Sequence, residues 1–366
     1  MKLPLPLSYA PMEARLVECL PEGPDWQYEP KWDGFRCLLF RDGDSVAIQS
    51  RSGQPLQRYF PEVVAHLKQL EASRFVLDAE LVTVVGDHLS FDDLLQRIHP
   101  AESRIRRLSV EHPATLVVFD LLVDDRGRPL SEEPLLLRRQ RLEEFAARYF
   151  DGSKNILLSP VTRDLERAAA WLAGAGDALD GVVAKRVAET YKSGERAMRK
   201  VKRIRTADCV VGGFRYASGG RGVGSLLLGL YGTDDLLHHV GFCSGFANED
   251  RRRLVATLEP RIAPPGFTGN APGGPSRWTR GRSVAWQPLK PELVIEVTYD
   301  HFSGGRFRHG TGFQRWRPDK TPEQCRLSQI ESEAQIPPDR LLEPDSGRRT
   351  STPPLREGAG RKRAVS

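Results

Sequence analysis

In YEPKWDGFRCLLF, residues 28–40, a lysine, an aspartate and a glycine stand where an apolar strand is about to begin. A strand that only builds a core has no use for Lys31, Asp33 and Gly34 at its mouth. For any single lysine, a solvated surface position is the ordinary reading. The run that follows is apolar and β-rich. FRCLLF, RDGD and SVAIQS together predict a hairpin, with Asp42 and Gly43 supplying the turn.

Outward from that hairpin, short β-rich runs alternate with helical ones. PEVVAHLKQLEA (61–72) and SEEPLLLRRQRLEEFAARYF (131–150) have helical apolar spacing, whereas RFVLDAELVTVV, ATLVVFDLLV and ALDGVVAKRV read as strands. Residues 1–27 are proline-rich and irregular. After KVKRIRTADCVVGGF the texture changes to glycine-punctuated strands, DCVVGGFRY, GSLLLGLY, HHVGFCSGF and LVIEVTYDHF, interrupted by one helix, NEDRRRLVATLEP. Such a segment predicts a small OB-type β-barrel. The expected class is therefore α+β: a mixed α/β domain with antiparallel sheets over 1–205, an OB-fold domain over 206–335, and a disordered basic tail over 336–366. A hinge is expected near 203–208.

The 366 residues suffice for two packed domains. The five cysteines (Cys19, Cys37, Cys209, Cys243, Cys325) form no C-x-x-C pair, which argues against a zinc site or a disulfide framework. The net charge of +6 leans toward a polyanionic partner without deciding it, because 48 acidic residues offset the 54 basic ones. The opening MKLPLPLSYAPMEARL carries prolines where a targeting segment needs a continuous apolar core, and no apolar run has the length of a membrane span. A monomeric cytoplasmic protein is expected.

Polar residues in the strands converge in pairs, since side chains two apart share a face. Asp78 and Glu80 form one pair, Lys200 and Lys202 a second, Arg315 and Arg317 a third. Each pair alone reads as a solvated strand face. Together, carboxylates and cations recurring at strand positions suit a nucleotide with a divalent metal. SGGRGVGS (218–225) fits neither common phosphate-loop pattern and reads as a barrel hairpin. His238 and His239 lack a second ligand cluster and read as strand histidines.

KWDGFR resembles the K-x-D-G-x-R motif of the covalent nucleotidyltransferase superfamily, which contains the ATP-dependent DNA ligases, RNA ligases and mRNA capping enzymes. SRSG (50–53), LDAELV, VVFDLL, DGVVAK, KVK and RWRPDK resemble the superfamily's later motifs in their proper order, over residues 28–320. The pattern looks most like the compact bacterial ATP-dependent DNA ligases of the C and D types, the stand-alone C type in particular.

That resemblance implies the chemistry. Lys31 would attack the α-phosphate of ATP and carry AMP. An ammonium cannot attack, so the lysine must shed its proton, and neighbouring cations, here Lys200 and Lys202, favour that by disfavouring charge. Asp33, Glu80 and Asp180 resemble the carboxylates that hold Mg²⁺ (or Mn²⁺) or orient the nucleotide. Phe119 looks like the adenine-stacking aromatic, Glu29 like the acid at the adenine edge, and Arg36 and Arg51 like ribose and phosphate contacts. Arg317, Asp319 and Lys320 resemble the barrel motif that closes over ATP. Asp180 stands where much of the superfamily has glutamate, and Met198 where many relatives have an aromatic. The implied reaction seals nicked double-stranded DNA at 5′-phosphate and 3′-hydroxyl ends, in repair. Phosphate contacts would make binding salt-sensitive. A repair polymerase is the protein partner that family analogy suggests, and nucleoid association would follow from DNA binding. A GTP-using capping guanylyltransferase and a non-catalytic nucleic-acid-binding protein are the alternative readings. The length leaves no room for an added DNA-encircling, polymerase or zinc domain.

Overall fold

The computed structural model describes residues 1–85, 88–174, 179–218, 222–273 and 285–331. The expected tail over 336–366 and the tip of the SGGRGVGS hairpin lie outside the described residues. In the N-terminal half the chain forms β1 (Ala14–Leu16), β2 (Trp26–Trp32), β3 (Phe35–Asp42), β4 (Ser45–Ser50), α1 (Pro61–Gln69), β5 (Arg74–Val85) and β6 (His88–Leu89). It continues with α2 (Phe91–Gln96), α3 (Glu102–Glu111), β7 (Ala114–Val123), α4 (Leu135–Tyr149), β8 (Ile156–Leu158), α5 (Leu165–Gly174), β9 (Leu179–Arg186) and β10 (Met198–Lys202). Then follow β11 (Arg205–Tyr216), β12 (Val223–Tyr231), β13 (Leu237–Cys243), α6 (Asn248–Leu258), β14 (Gln287–Pro288), β15 (Val294–Tyr299), β16 (Phe302–Ser303), β17 (Arg306–Phe307) and β18 (Gly312–Trp316).

Two sheets build the first half. One has the order β1-β10-β9-β2, the other β4-β3-β5-β7-β8 with β6 on the edge of β5. The β3–β4 hairpin turns at Gly43, whose φ of +60° is the left-handed conformation that glycine tolerates. Alternation then assigns the faces. Cys37 and Leu39 of β3 join Phe75, Leu77, Ala79 and Leu81 of β5 in a core closed by Val63 and Leu67 of α1 and Leu142 and Phe145 of α4. Leu38, Phe40 and Val76 point the other way and pack with Tyr191 and Met198 from the first sheet's side. On β2, Trp26, Tyr28 and Trp32 pack with Trp171 of α5. Gln27, Glu29 and Lys31 alternate to the opposite face. A polar cleft therefore lies between the two sheets.

The second half has the strand order β13-β12-β11-β15-β18, with α6 between β13 and β15 in sequence. That is OB-fold connectivity. The barrel is not a fully hydrogen-bonded ring: among the described residues, its two edge strands meet at one parallel bridge, Cys243 to Thr311. His238 and His239 sit in β13 as strand residues. The expected helices shorten to α1 and α4, the latter beginning after Pro134, which cannot donate within a preceding turn. Helices α2, α3 and α5 and strand β1, inside the stretch read as irregular, were absent from the sequence reading.

Candidate active site

Lys31 reaches the cleft because of a register shift. β2 pairs with β9 through Lys31↔Gly181 and then Trp32↔Leu179, so Asp180 is the extra residue of a β-bulge. A bulge re-aims a side chain. Here it turns Asp180 onto the same side as Lys31, whose Nζ ion-pairs with Asp180 Oδ2. Trp32, one residue on, anchors the opposite face by donating from Nε1 to Ser159 Oγ at 2.9 Å. Gly34 and Gly181 are required by close approach. A Cβ on Gly34 would lie 2.0 Å from the Leu81 carbonyl oxygen, and one on Gly181 2.0 Å from that of Val201. β10 lays Lys202 opposite Gly181 and Lys200 opposite Val183. Both lysines thus line the face of Lys31.

The two lysines differ in surroundings. Burial, together with the charges of Lys31 and Lys202, lowers the Lys200 pKa. Burial also acts against the charge on Lys202, but Asp180 at 3.4 Å and Asp300 at 2.9 Å outweigh it and raise its pKa. Of the expected pair, Lys200 is the cation whose charge is least compensated. Asp180 is held well below the usual carboxylate range: burial opposes its charge, while His301, Lys31 and Lys202 favour it. Glu80 is pushed up to about 8, chiefly by burial, with Asp33 and Asp78 adding repulsion. Burial likewise raises Asp33, and Asp180 adds to it.

At the far end of the cleft, Glu29 is buried against Lys185, Oε2 to Nζ 2.6 Å, and accepts from Gln27 Nε2 at 3.0 Å. The Lys185 ammonium stands 4.7 Å from the Phe119 ring centroid, with the Arg36 guanidinium at 5.3 Å. Phe119 is itself the extra residue at a register shift, since Asp78 pairs with Asp120 and Ala79 with Val118. Arg36 forks onto Asp78, Nε to Oδ1 3.0 Å and Nη2 to Oδ2 2.7 Å, and Tyr191 donates to the same carboxylate at 2.6 Å. Asp78 is therefore an anchor for Arg36. Arg51 is exposed in the turn after β4, within electrostatic reach of Lys200.

The barrel presents a different face to the cleft from the one expected. Arg317 donates to Asp208 Oδ1 at 2.8 Å and also to Asp319, Lys320 binds Asp208 Oδ2 at 2.5 Å, and Arg315 binds Glu296 at 2.6 Å. All of these partners belong to the barrel. Arg317 and Lys320 line a groove of about 560 Å³ with Trp316, Phe313, Phe246 and Arg253, remote from the contacts that surround Lys31. What meets the cleft is the segment from Asp300 to Arg308. His301 Nε2 lies 3.1 Å from Asp180 Oδ1, and Arg308 forks onto Asp33, Nη1 to Oδ1 2.9 Å and Nη2 to Oδ2 2.5 Å.

Residues 11–202 match the ATP dependent DNA ligase domain, and residues 219–320 the ATP dependent DNA ligase C terminal region. The chain belongs to the ATP-dependent DNA ligases. It is 42% identical over 351 residues to DNA ligase C of Mycobacterium tuberculosis, covering 90% of this chain and 96% of that one. It is 43% identical to DNA ligase C2 of Mycolicibacterium smegmatis, covering 91% and 97%. A solved structure titled "DNA binding with a minimal scaffold: Structure-function analysis of Lig E DNA ligases" shares the fold at a TM-score of 0.51 and 13% identity, covering 84% of this chain and 98% of that one.

For a member of the ATP-dependent DNA ligases, the cleft gathers Lys31, Glu29, Asp33, Arg36, Glu80, Phe119, Asp180, Lys200 and Lys202, and leaves Arg317 and Lys320 on the barrel. Three side chains were missed in the sequence. Lys185 closes DGVVAK and shares the face of Glu29, a signal that was there to read. His301 and Arg308 had none, because only the domain contact gives them a place. Neither the capping enzyme nor the non-catalytic binding protein is favoured by these matches.

Proposed function

We propose that this ligase seals nicks in double-stranded DNA through AMP carried on Lys31. The observation that carries the reading is the bulge that sets Lys31 on Asp180, beside Lys200. The Lys31 nitrogen attacks the α-phosphorus of ATP after losing its proton; a P–N bond forms, the bond to the bridging oxygen breaks, and pyrophosphate leaves. AMP then passes to the 5′-phosphate of the nick, and attack by the 3′-hydroxyl expels it. Phe119 stacks the adenine, Glu29 and Lys185 fix its edge, and Arg36 and Arg51 contact ribose and phosphate. Lys200 and Lys202 face the phosphates.

Asp33, Glu80 and Asp180 are the proposed holders of Mg²⁺ or Mn²⁺. The donor set fits chemically: three carboxylates share one cleft, and beyond burial the charge of Asp180 raises Asp33 and that of Asp33 raises Glu80, a repulsion that a divalent ion relieves. Bound there, the ion would neutralise phosphate charge. Among the described residues, no trio of His, Cys, Asp or Glu is drawn together enough to hold it in this arrangement. Arg317 and Lys320 are assigned to the leaving pyrophosphate in a second arrangement of the domains, reached by turning about Arg203 and Ile204, between a domain of residues 1–205 and one of 206–335. A monomer in the cytoplasm, on the nucleoid when bound to DNA and working with a repair polymerase, completes the proposal. Among the described residues no helix is long and apolar enough to cross a membrane.

The test is incubation with α-labelled ATP or GTP and Mg²⁺, with Lys31→Ala as control, then a chase with nicked DNA. ATP-specific label that needs Lys31 and leaves as the nick closes is the expected result. Label from GTP overturns the nucleotide assignment, and no label overturns the enzyme reading.

A further inference from the structure

Every hydrogen bond and ion pair described for the carboxylates of Asp33 and Asp180 goes to a cationic or donor group of the protein itself. Arg308 takes both oxygens of Asp33. Asp180 has Lys31 on Oδ2, and His301 and Lys202 on Oδ1. Arg308 and His301 come from the barrel, on one short segment that also carries Asp300, the partner of Lys202 at 2.9 Å. The Arg308 guanidinium further rests 4.2 Å over the ring of Phe91 in α2.

We propose that the Asp300–Arg308 segment is an internal latch in which Arg308 and His301 take the place of a divalent cation on Asp33 and Asp180. The inference rests on the metal reading of those two carboxylates. Latch and ion compete, since both draw on the same two carboxylates and the guanidinium charge, fixed at hydrogen-bond distance from both oxygens of Asp33, repels a divalent ion brought there. Loading the ion therefore releases the barrel from this arrangement. The metal-free enzyme is held closed, and the apparent affinity for the ion is reduced by the fraction of molecules that are latched.

The experiment uses the full chain freed of AMP. Small-angle X-ray scattering is recorded in chelator and along a Mg²⁺ titration, and the Mg²⁺ needed for half-maximal adenylation is measured beside it. Wild type should expand as Mg²⁺ is added. Arg308→Ala should be expanded already in chelator, and its half-saturating Mg²⁺ should fall about threefold or more. Arg308→Lys, which keeps the charge and loses the fork, should fall between. Identical scattering of wild type with and without Mg²⁺ overturns the latch without relying on any substitution. An Arg308→Ala half-saturation within about twofold of wild type also overturns it, provided Asp33→Asn raises the Mg²⁺ requirement. If Asp33→Asn leaves that requirement unchanged, it is the metal reading of Asp33 that fails.

Discussion

Lys185 and Glu29 form a salt bridge of 2.6 Å with exposures of only 4% and 2%, across the two strands that also carry Lys31 and Asp180. A buried pair of this kind contributes little to net stability but is expensive to break on one side. Lys185→Met should cost about 3–5 kcal/mol in chemical denaturation, because it leaves the Glu29 carboxylate unpaired. Lys185→Met combined with Glu29→Leu should recover much of that loss yet bind ATP poorly. A double variant as unstable as the single would mean the pair is not the cause.

Gly181 has a φ of +137°, and a Cβ there would sit 2.0 Å from the Val201 carbonyl oxygen. Gly181→Ala should push β9 from β10 and move the bulge that aims Asp180. Adenylation is expected to drop by on the order of a hundredfold, the cost of a displacement of about 1 Å at a reacting group. Circular dichroism should show the fold retained.

Phe119 is flanked by two cations and backed by the second sheet. Phe119→Ala should raise the ATP concentration needed for half-maximal labelling on the order of tenfold, in line with the loss of one aromatic–base stack. Phe119→Trp should keep most of the affinity. Equal ATP dependence in all three proteins would remove the ring from the adenine site.

His239, buried in β13, has a pKa lowered to about 4 from 6.5, first by burial and then by the charges of Arg306 and Arg215. Its folded value lies below the unfolded one, so the neutral form is what the barrel accommodates. That contribution is fully present above pH 6.5 and is lost as the pH falls toward 4. Unfolding across that window should show a loss of about 2–3 kcal/mol, absent in His239→Leu.

Local pattern carried much of the fold. The Asp42–Gly43 turn, the alternation of β5 and the glycine-rich strands of the barrel follow from residues near one another in sequence. The bulges did not. A register shift at Lys31/Trp32 or Asp78/Ala79 is set by packing of whole sheets, and no residue type announces it. For that reason Asp78, read as one of a carboxylate pair with Glu80, turns out to be the anchor of Arg36 and Tyr191. Short helices such as α2, held by a Ser90 side chain capping Asp93, offer too few turns for periodicity to be seen. His301 and Arg308 acquire meaning only where one domain meets the other.

Between Lys202, the end of β10, and Arg205, the start of β11, there are only Arg203 and Ile204. In the proposed motion, so short a link would let the barrel swivel but not drift away. Re-engagement of Arg308 with Asp33 would accordingly be a first-order event whose rate is independent of protein concentration. The tether sets an effective concentration in the millimolar range for the barrel segment at the cleft. A competing cation or polyanion would be judged against that figure, so that under the proposed latch the length of the Arg203–Ile204 link would control how readily the enzyme is loaded.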